Sequence, residues 1–204
     1  MRVLLLHGLG RTPLSLARLG RELRRAGHVP ELVGYVAAVE RFAVIRARVR
    51  RRLEHAARTG EPYAAVGHSL GGLLVRAALT EWPADLPLPR HLVMLGTPNQ
   101  PPRLAGRLRR LWPYRVLNGE CGQLLAQPEF FGALAPVAVP CTIVAGTRGW
   151  RGRWSPFGSD TNDGILAVAE ARLGAGARVV ELPVAHTFMM NDRRVRALVR
   201  EVLM

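Results

Sequence analysis

At 204 residues, 49% of them hydrophobic and 22% charged, the chain is long enough to bury about 70% of its unfolded surface as one domain, which excludes a disordered chain. No apolar run approaches the ~20 residues of a bilayer crossing. The formal net charge of +14 would alone point to nucleic acid, an anionic membrane or an acidic substrate, but all 29 basic residues are Arg, spread along the chain, which fits a codon-biased source and solvated helix faces better than one polyanion site.

Residues 1–10, MRVLLLHGLG, have neither the apolar length nor the cleavage site of a secretory signal, so the chain reads as cytoplasmic. Val3 to Leu6 predicts a buried strand that runs into His7-Gly8. Leu14, Leu16, Leu19, Leu23 and Ala26 then recur at helical spacing up to the stop at Gly27. Val29 to Tyr35 predicts a strand, and Val39 to Arg58 a long Arg-rich helix ended by Gly60 and Pro62. Further strands are expected at Tyr63 to Val66, His91 to Leu95, Val139 to Ala145 and Arg178 to Leu182, with helices at Leu70 to Glu81 and Asn191 to Leu203.

Short apolar strands alternating with helices imply an α/β fold with a mostly parallel sheet of about six strands, because each parallel crossover needs an element to span it. The whole of 1–204 is expected to be one domain. Pro98 to Pro136 and Gly146 to Asp163 break the alternation, and connections this long usually carry function or disorder. Cys121 and Cys141 are too few for a disulfide scaffold and are not spaced for zinc; a bridge between them is open but not implied.

The sharpest motif is Gly67-His68-Ser69-Leu70-Gly71, a G-x-S-x-G placed directly after a predicted strand and directly before a predicted helix. A turn that tight needs glycines where a Cβ would clash, and Ser69 must take a strained backbone conformation to project its Oγ. The alternative, a Gly-rich turn with a capping Ser, does not require both flanking elements.

On these residues the chain resembles the α/β-hydrolase family, and among its members the small serine lipases and esterases with little or no cap. The likeness spans nearly the whole chain and includes a first strand ending in His7-Gly8-Leu9-Gly10. It implies oxyanion-hole N–H groups from Leu9 and Leu70, with His7 holding the loop instead of reacting. The commoner lipase version is richer in Gly after the His. The family's order of nucleophile, acid and His then leaves His186, in the loop after the last strand, as the base, since His91 precedes any acid candidate. Asp163, in Asn162-Asp163-Gly164-Ile165-Leu166, is the acid that the likeness implies, with Asp160 the fallback and Glu170 remote. Asp163 as the N-cap of a helix starting at Gly164 is the alternative reading. Gly96-Thr97-Pro98-Asn99 also resembles a segment that lipase-like members carry beside the site, where either Thr97 or Asn99 shapes the pocket or the segment is a plain turn.

The resemblance implies hydrolysis of a small acyl ester or lipid, with no metal and no organic cofactor. Thioesterase, amidase or acyltransferase chemistry with the same residues, or a non-catalytic ligand-binding relative, stays open. Residues 98–136 are a small lid or cap insertion in this reading. Within it Leu104, Leu108, Leu111 and Trp112 share one face of a helix that is otherwise rich in Arg, which suits a lid, a surface for anionic lipid or a helix packed permanently on the core. Trp150 and Trp154, interleaved with Arg, read as a rim over the acyl groove in preference to a nucleic-acid site.

Overall fold

The computed structural model describes residues 1–174 and 176–204. Six parallel strands, β1 (Arg2–Leu6), β2 (Val29–Val33), β3 (Tyr63–His68), β4 (Leu92–Leu95), β5 (Cys141–Gly146) and β6 (Ala177–Leu182), form one sheet in the order β2-β1-β3-β4-β5-β6. The inner strands are buried on both sides, so they read as continuous apolar runs; the edge strands β2 and β6 are half exposed.

Period-two alternation sends neighbouring residues to opposite layers. Leu4, Leu6, Ala65, Met94 and Ile143 meet α2 (Phe42–Arg58) and α3 (Leu70–Leu79) through Ile45, Val49, Leu53, Leu73 and Leu74. Val3, Leu5, Val66, Val93, Leu95 and Val144 meet α1 (Ala17–Arg25) and the C-terminal helix Arg193–Leu203 through Leu19, Leu23, Val195 and Val199. The strand order reverses between β1 and β3, which opens a crevice at their carboxyl ends. His7-Gly8 and Ser69 both lie at that crevice, one after each strand.

The elements differ from the sequence reading at their ends and in the insertion. The first helix begins as a 3-10 turn at Pro13–Leu16, and Pro140, which has no N–H to donate, leaves β5 to start at Cys141. The single amphipathic helix expected around Leu104 to Trp112 is instead α4 (Arg103–Leu108) and α5 (Trp112–Leu124). Pro113 is the cause: its ring would clash with the carbonyl four residues back in a continuing helix, whereas the first turn of a new one accepts it. A short α6 (Pro128–Gly132) completes the insertion, and α7 (Val168–Ala171) follows before β6. The C-terminal helix is α8, capped by Asp192, whose carboxylate accepts the Arg194 N–H at 2.8 Å.

α5 is broken at Gly119, whose φ of 55° suits glycine and whose missing Cβ leaves room for the Ala38 carbonyl. Just beyond the break, Glu120 accepts the Phe42 N–H at 3.2 Å and so caps α2, which has no side-chain cap of its own. Cys121 and Cys141 are both buried free thiols. Among the described residues no helix is long and apolar enough to cross a membrane.

Candidate active site

β3 is completely buried and ends at Gly67-His68, after which the chain must reverse sharply to enter α3. A Cβ on Gly67 would overlap the Gly72 backbone, one on Gly71 the Leu6 carbonyl, and one on Gly72 the Thr97 side chain. With those positions bare, α3 packs directly against the ends of β1 and β4. Ser69 takes the turn at φ 51° and ψ −120°, and among the described residues it is the only non-glycine with positive φ. Its N–H donates to the Leu95 carbonyl at 2.8 Å, which ties the turn to β4. The Leu70 N–H that follows belongs to the first turn of α3, where backbone donors have no helical partner and the helix dipole favours negative charge.

The loop after β1 supplies the facing wall. The His7 ring stacks on Tyr35 with centroids 4.0 Å apart, its Nδ1–H donates to the Gly8 carbonyl at 2.9 Å, and the Tyr35 hydroxyl donates to the His7 carbonyl. His7 therefore holds the loop and lies outside the cavity lining, while Leu9 is part of that lining. Gly8 abuts the buried His68 ring, with room for no side chain between them.

His186 follows β6 in the turn His186–Asn191 and is buried. Its Nδ1 donates to Asp163 Oδ2 at 2.7 Å, which leaves Nε2 as the basic nitrogen. The other oxygen of Asp163 accepts the N–H groups of Ile165 at 3.0 Å and Leu166 at 2.7 Å, so the buried carboxylate is fully engaged. Glycines again allow the approach: a Cβ on Gly96 would lie 3.0 Å from His186 Nδ1, and one on Gly146 would lie 2.6 Å from Asp163 Cβ.

The competing acids are occupied elsewhere. Asp160 is exposed and pairs with Arg103 at 2.7 Å. Glu170 accepts from Arg103 Nε at 2.9 Å and from the Ala167 N–H at 2.9 Å. No helix starts at Gly164, so the alternative of Asp163 as an N-cap is not realised; the next helix is α7, with Ala167 at its N-cap.

Ser69 and His186 share one cavity of about 280 Å³, whose wall includes Leu9, Leu104, Leu108, Tyr114, Leu125 and Leu166. Of the residues expected to touch substrate, Leu108 lines it. Trp112, Trp150 and Trp154 do not, and these residues are 75%, 60% and 76% exposed. The Trp112 ring turns outward because α5 starts anew there. The Trp150 carbonyl, not its ring, serves the site: it accepts from Asn162, which shapes the turn before Asp163. Thr97 is fully buried behind α3 and Asn99 is bonded to Arg76 and to the Ala171 carbonyl, so both support the elbow from behind.

The sequence reading passed over several residues. His68 sits between the two catalytic candidates' loops, its Nε2 donating to the His186 carbonyl at 3.0 Å. Burial first, and then the neighbouring His186 ring, push its pKa down to about 3, so it stays neutral. Arg11, Tyr114 and Asn118 also line the cavity. Only the place of Arg11 in the loop after β1 was a signal that could have found it. Among the described residues no group of three or more His, Cys, Asp or Glu side chains is placed to hold a metal ion.

Comparison with known proteins places this geometry in context. Residues 3–204 match the model described as the alpha/beta hydrolase family. A lipase from Bacillus licheniformis in its mature form superposes with a TM-score of 0.70 at 18% identity, over 99% of this chain and 91% of that one. A phospholipase from Legionella pneumophila gives 0.63 at 17% identity, over 84% of this chain and 46% of that one. A pyrethroid hydrolase from Sphingobium faniae gives 0.61 at 13% identity, over 98% and 96%. At such identities the likeness is one of fold. No curated protein sequence matches the chain.

Proposed function

The chain belongs to the alpha/beta hydrolase family, and we propose that it hydrolyses carboxylic esters through an acyl-enzyme on Ser69. The observation that carries this reading is the 2.7 Å bond from His186 to Asp163, made in a cavity that Ser69 also lines.

In this mechanism His186 Nε2 takes the Ser69 proton as Oγ attacks the acyl carbonyl, and the same proton then goes to the departing alcohol. Asp163 holds the tautomer that keeps Nε2 basic and stabilises the imidazolium once formed. The N–H groups of Leu9 and Leu70 receive the oxyanion, and removal of one such donor typically costs 10²–10³-fold in rate. Water repeats the cycle on the acyl-enzyme. The apolar wall of Leu104, Leu108 and Leu125 suits the acyl chain of a small ester or a lipid.

Turnover of p-nitrophenyl esters from acetyl to palmitoyl, by the wild type beside Ser69→Ala, tests the proposal. The expected result is activity with a preferred chain length that the variant loses. No turnover of any ester, together with no labelling of Ser69 by a fluorophosphonate, would overturn it in favour of a non-catalytic binding role.

A further inference from the structure

The cavity wall carries one permanently charged side chain, Arg11, and no carboxylate. Arg11 is half-buried, and its guanidinium lies over the Phe188 ring, 5.1 Å from the centroid. Its one hydrogen bond among the described residues runs from Nη2 to the Thr187 carbonyl at 2.9 Å. A guanidinium has five N–H donors, so most of this fork has no protein partner among the described residues and stays accessible to a ligand. Arg103, the first residue of α4, shows the contrast, since its donors are spent on Glu170 and Asp160. A guanidinium with free donors at the wall of an otherwise apolar cavity can pair bidentately with a carboxylate or phosphate.

The position of Arg11 says which part of a substrate it would meet. Thr187, to which it is bonded, directly follows His186, the group that delivers the proton to the departing alcohol in the ester reading. The apolar residues Leu104, Leu108 and Leu125 come from the insertion instead. Building on that reading, we propose that Arg11 receives an anionic oxygen group, carboxylate or phosphate, on the alcohol half of the ester. The substrate class is then acyl esters of acidic alcohols.

The test uses three esters that share an acyl chain: 4-(butanoyloxy)benzoate, 4-(butanoyloxy)phenyl phosphate and the neutral 4-(butanoyloxy)benzamide. At low salt kcat/KM for at least one anionic ester should exceed that for the neutral one by about tenfold or more, mainly through KM. The advantage should shrink as salt is added. Which anion gains more distinguishes carboxylate from phosphate. Arg11→Gln should bring the ratio near one and Arg11→Lys should keep part of it. A residue that only positions the His186 turn would lower all three rates together and leave the ratio unmoved. A ratio near one in the wild type, or one unchanged in Arg11→Gln, overturns the proposal.

Binding separates this inference from the ester reading. In Ser69→Ala, calorimetry should show tighter binding of the benzoate or the phenyl phosphate than of the benzamide, and addition of Arg11→Gln should abolish the difference, whether or not the wild type turns over any ester. Equal binding of all three esters in Ser69→Ala would overturn the role of Arg11 independently of catalysis.

Discussion

Asp163 holds His186 at two points: its carboxylate accepts the ring Nδ1–H at 2.7 Å, and its carbonyl accepts the His186 backbone N–H at 3.0 Å. The backbone bond sets where the ring hangs, and the side-chain bond sets which nitrogen carries the proton. Only the second depends on the carboxylate. Asp163→Asn should therefore lower kcat on p-nitrophenyl butyrate by about 10³–10⁴-fold with little change in thermal unfolding. Asp160→Asn, which loses an exposed pairing with Arg103, should stay within about threefold of wild type. Comparable losses in both variants would contradict the assignment of the acid.

Gly96 tests the packing behind the histidine. Its φ of 55° and the 3.0 Å that a Cβ would leave to His186 Nδ1 mean that Gly96→Ala pays in backbone strain of about 1–3 kcal/mol and also displaces the imidazole. If His186 is the base as proposed, kcat should fall at least about tenfold with KM nearly constant, because a misplaced base affects the chemical step more than binding. Steady-state kinetics beside a denaturation curve measures both effects, and a fall in stability alone would show that the ring is not displaced.

Leu108 and Trp112 are four residues apart but only Leu108 faces the cavity. Leu108→Phe should shift the preferred p-nitrophenyl ester to shorter acyl chains, as added volume takes up room in the groove. Trp112→Ser should leave the profile on soluble esters within about twofold. A chain-length profile moved by Trp112→Ser and not by Leu108→Phe would show that α4 and α5 rearrange when substrate binds.

His68 makes the fold sensitive to acid. Its pKa is about 3 in the folded protein against an ordinary 6.5, so between those values the unfolded chain binds a proton that the folded one refuses. Its contribution to stability is complete above pH 6.5 and is lost as pH falls towards 3, at up to ~1.4 kcal/mol per pH unit. Burial lowers the pKa of His7 and His91 as well, and they add to the same slope. His68→Gln keeps a donor for the His186 carbonyl but removes the titration. Urea denaturation from pH 7.5 to 4.5 should show a shallower loss for the variant, and parallel losses would refute the role of His68.

How much of this was legible in the sequence follows the range of the interactions concerned. The inner strands are legible because burial on both faces leaves an uninterrupted apolar run, and Gly67-His68-Ser69-Leu70-Gly71 announces itself because a tight reversal leaves few residue types possible. Chain order brought Asp163 and His186 into consideration together, and the structure brings their side chains into contact. The apolar spacing from Leu104 to Trp112 is that of one helix, but the local effect of Pro113 outweighs it and splits the segment into α4 and α5. Gly96, Gly146 and Arg11 were not singled out, since each matters through a neighbour distant in the chain: His186, Asp163 and Thr187. Nothing in the local pattern of a glycine or an arginine records such a neighbour.

The backbone of Ser69 sets folding and the proposed chemistry against each other at a single residue. A φ of 51° with ψ −120° is natural for glycine and unfavourable for any residue with a Cβ. Ser69→Gly should therefore yield a more stable protein than Ser69→Ala, by about 1 kcal/mol, although both lack the hydroxyl. The neighbouring glycines and the Leu95 carbonyl must hold the turn closed against that preference, so the glycine-rich elbow acts as a clamp under load, and the hydroxyl is presented because the rest of the fold does not let the chain relax.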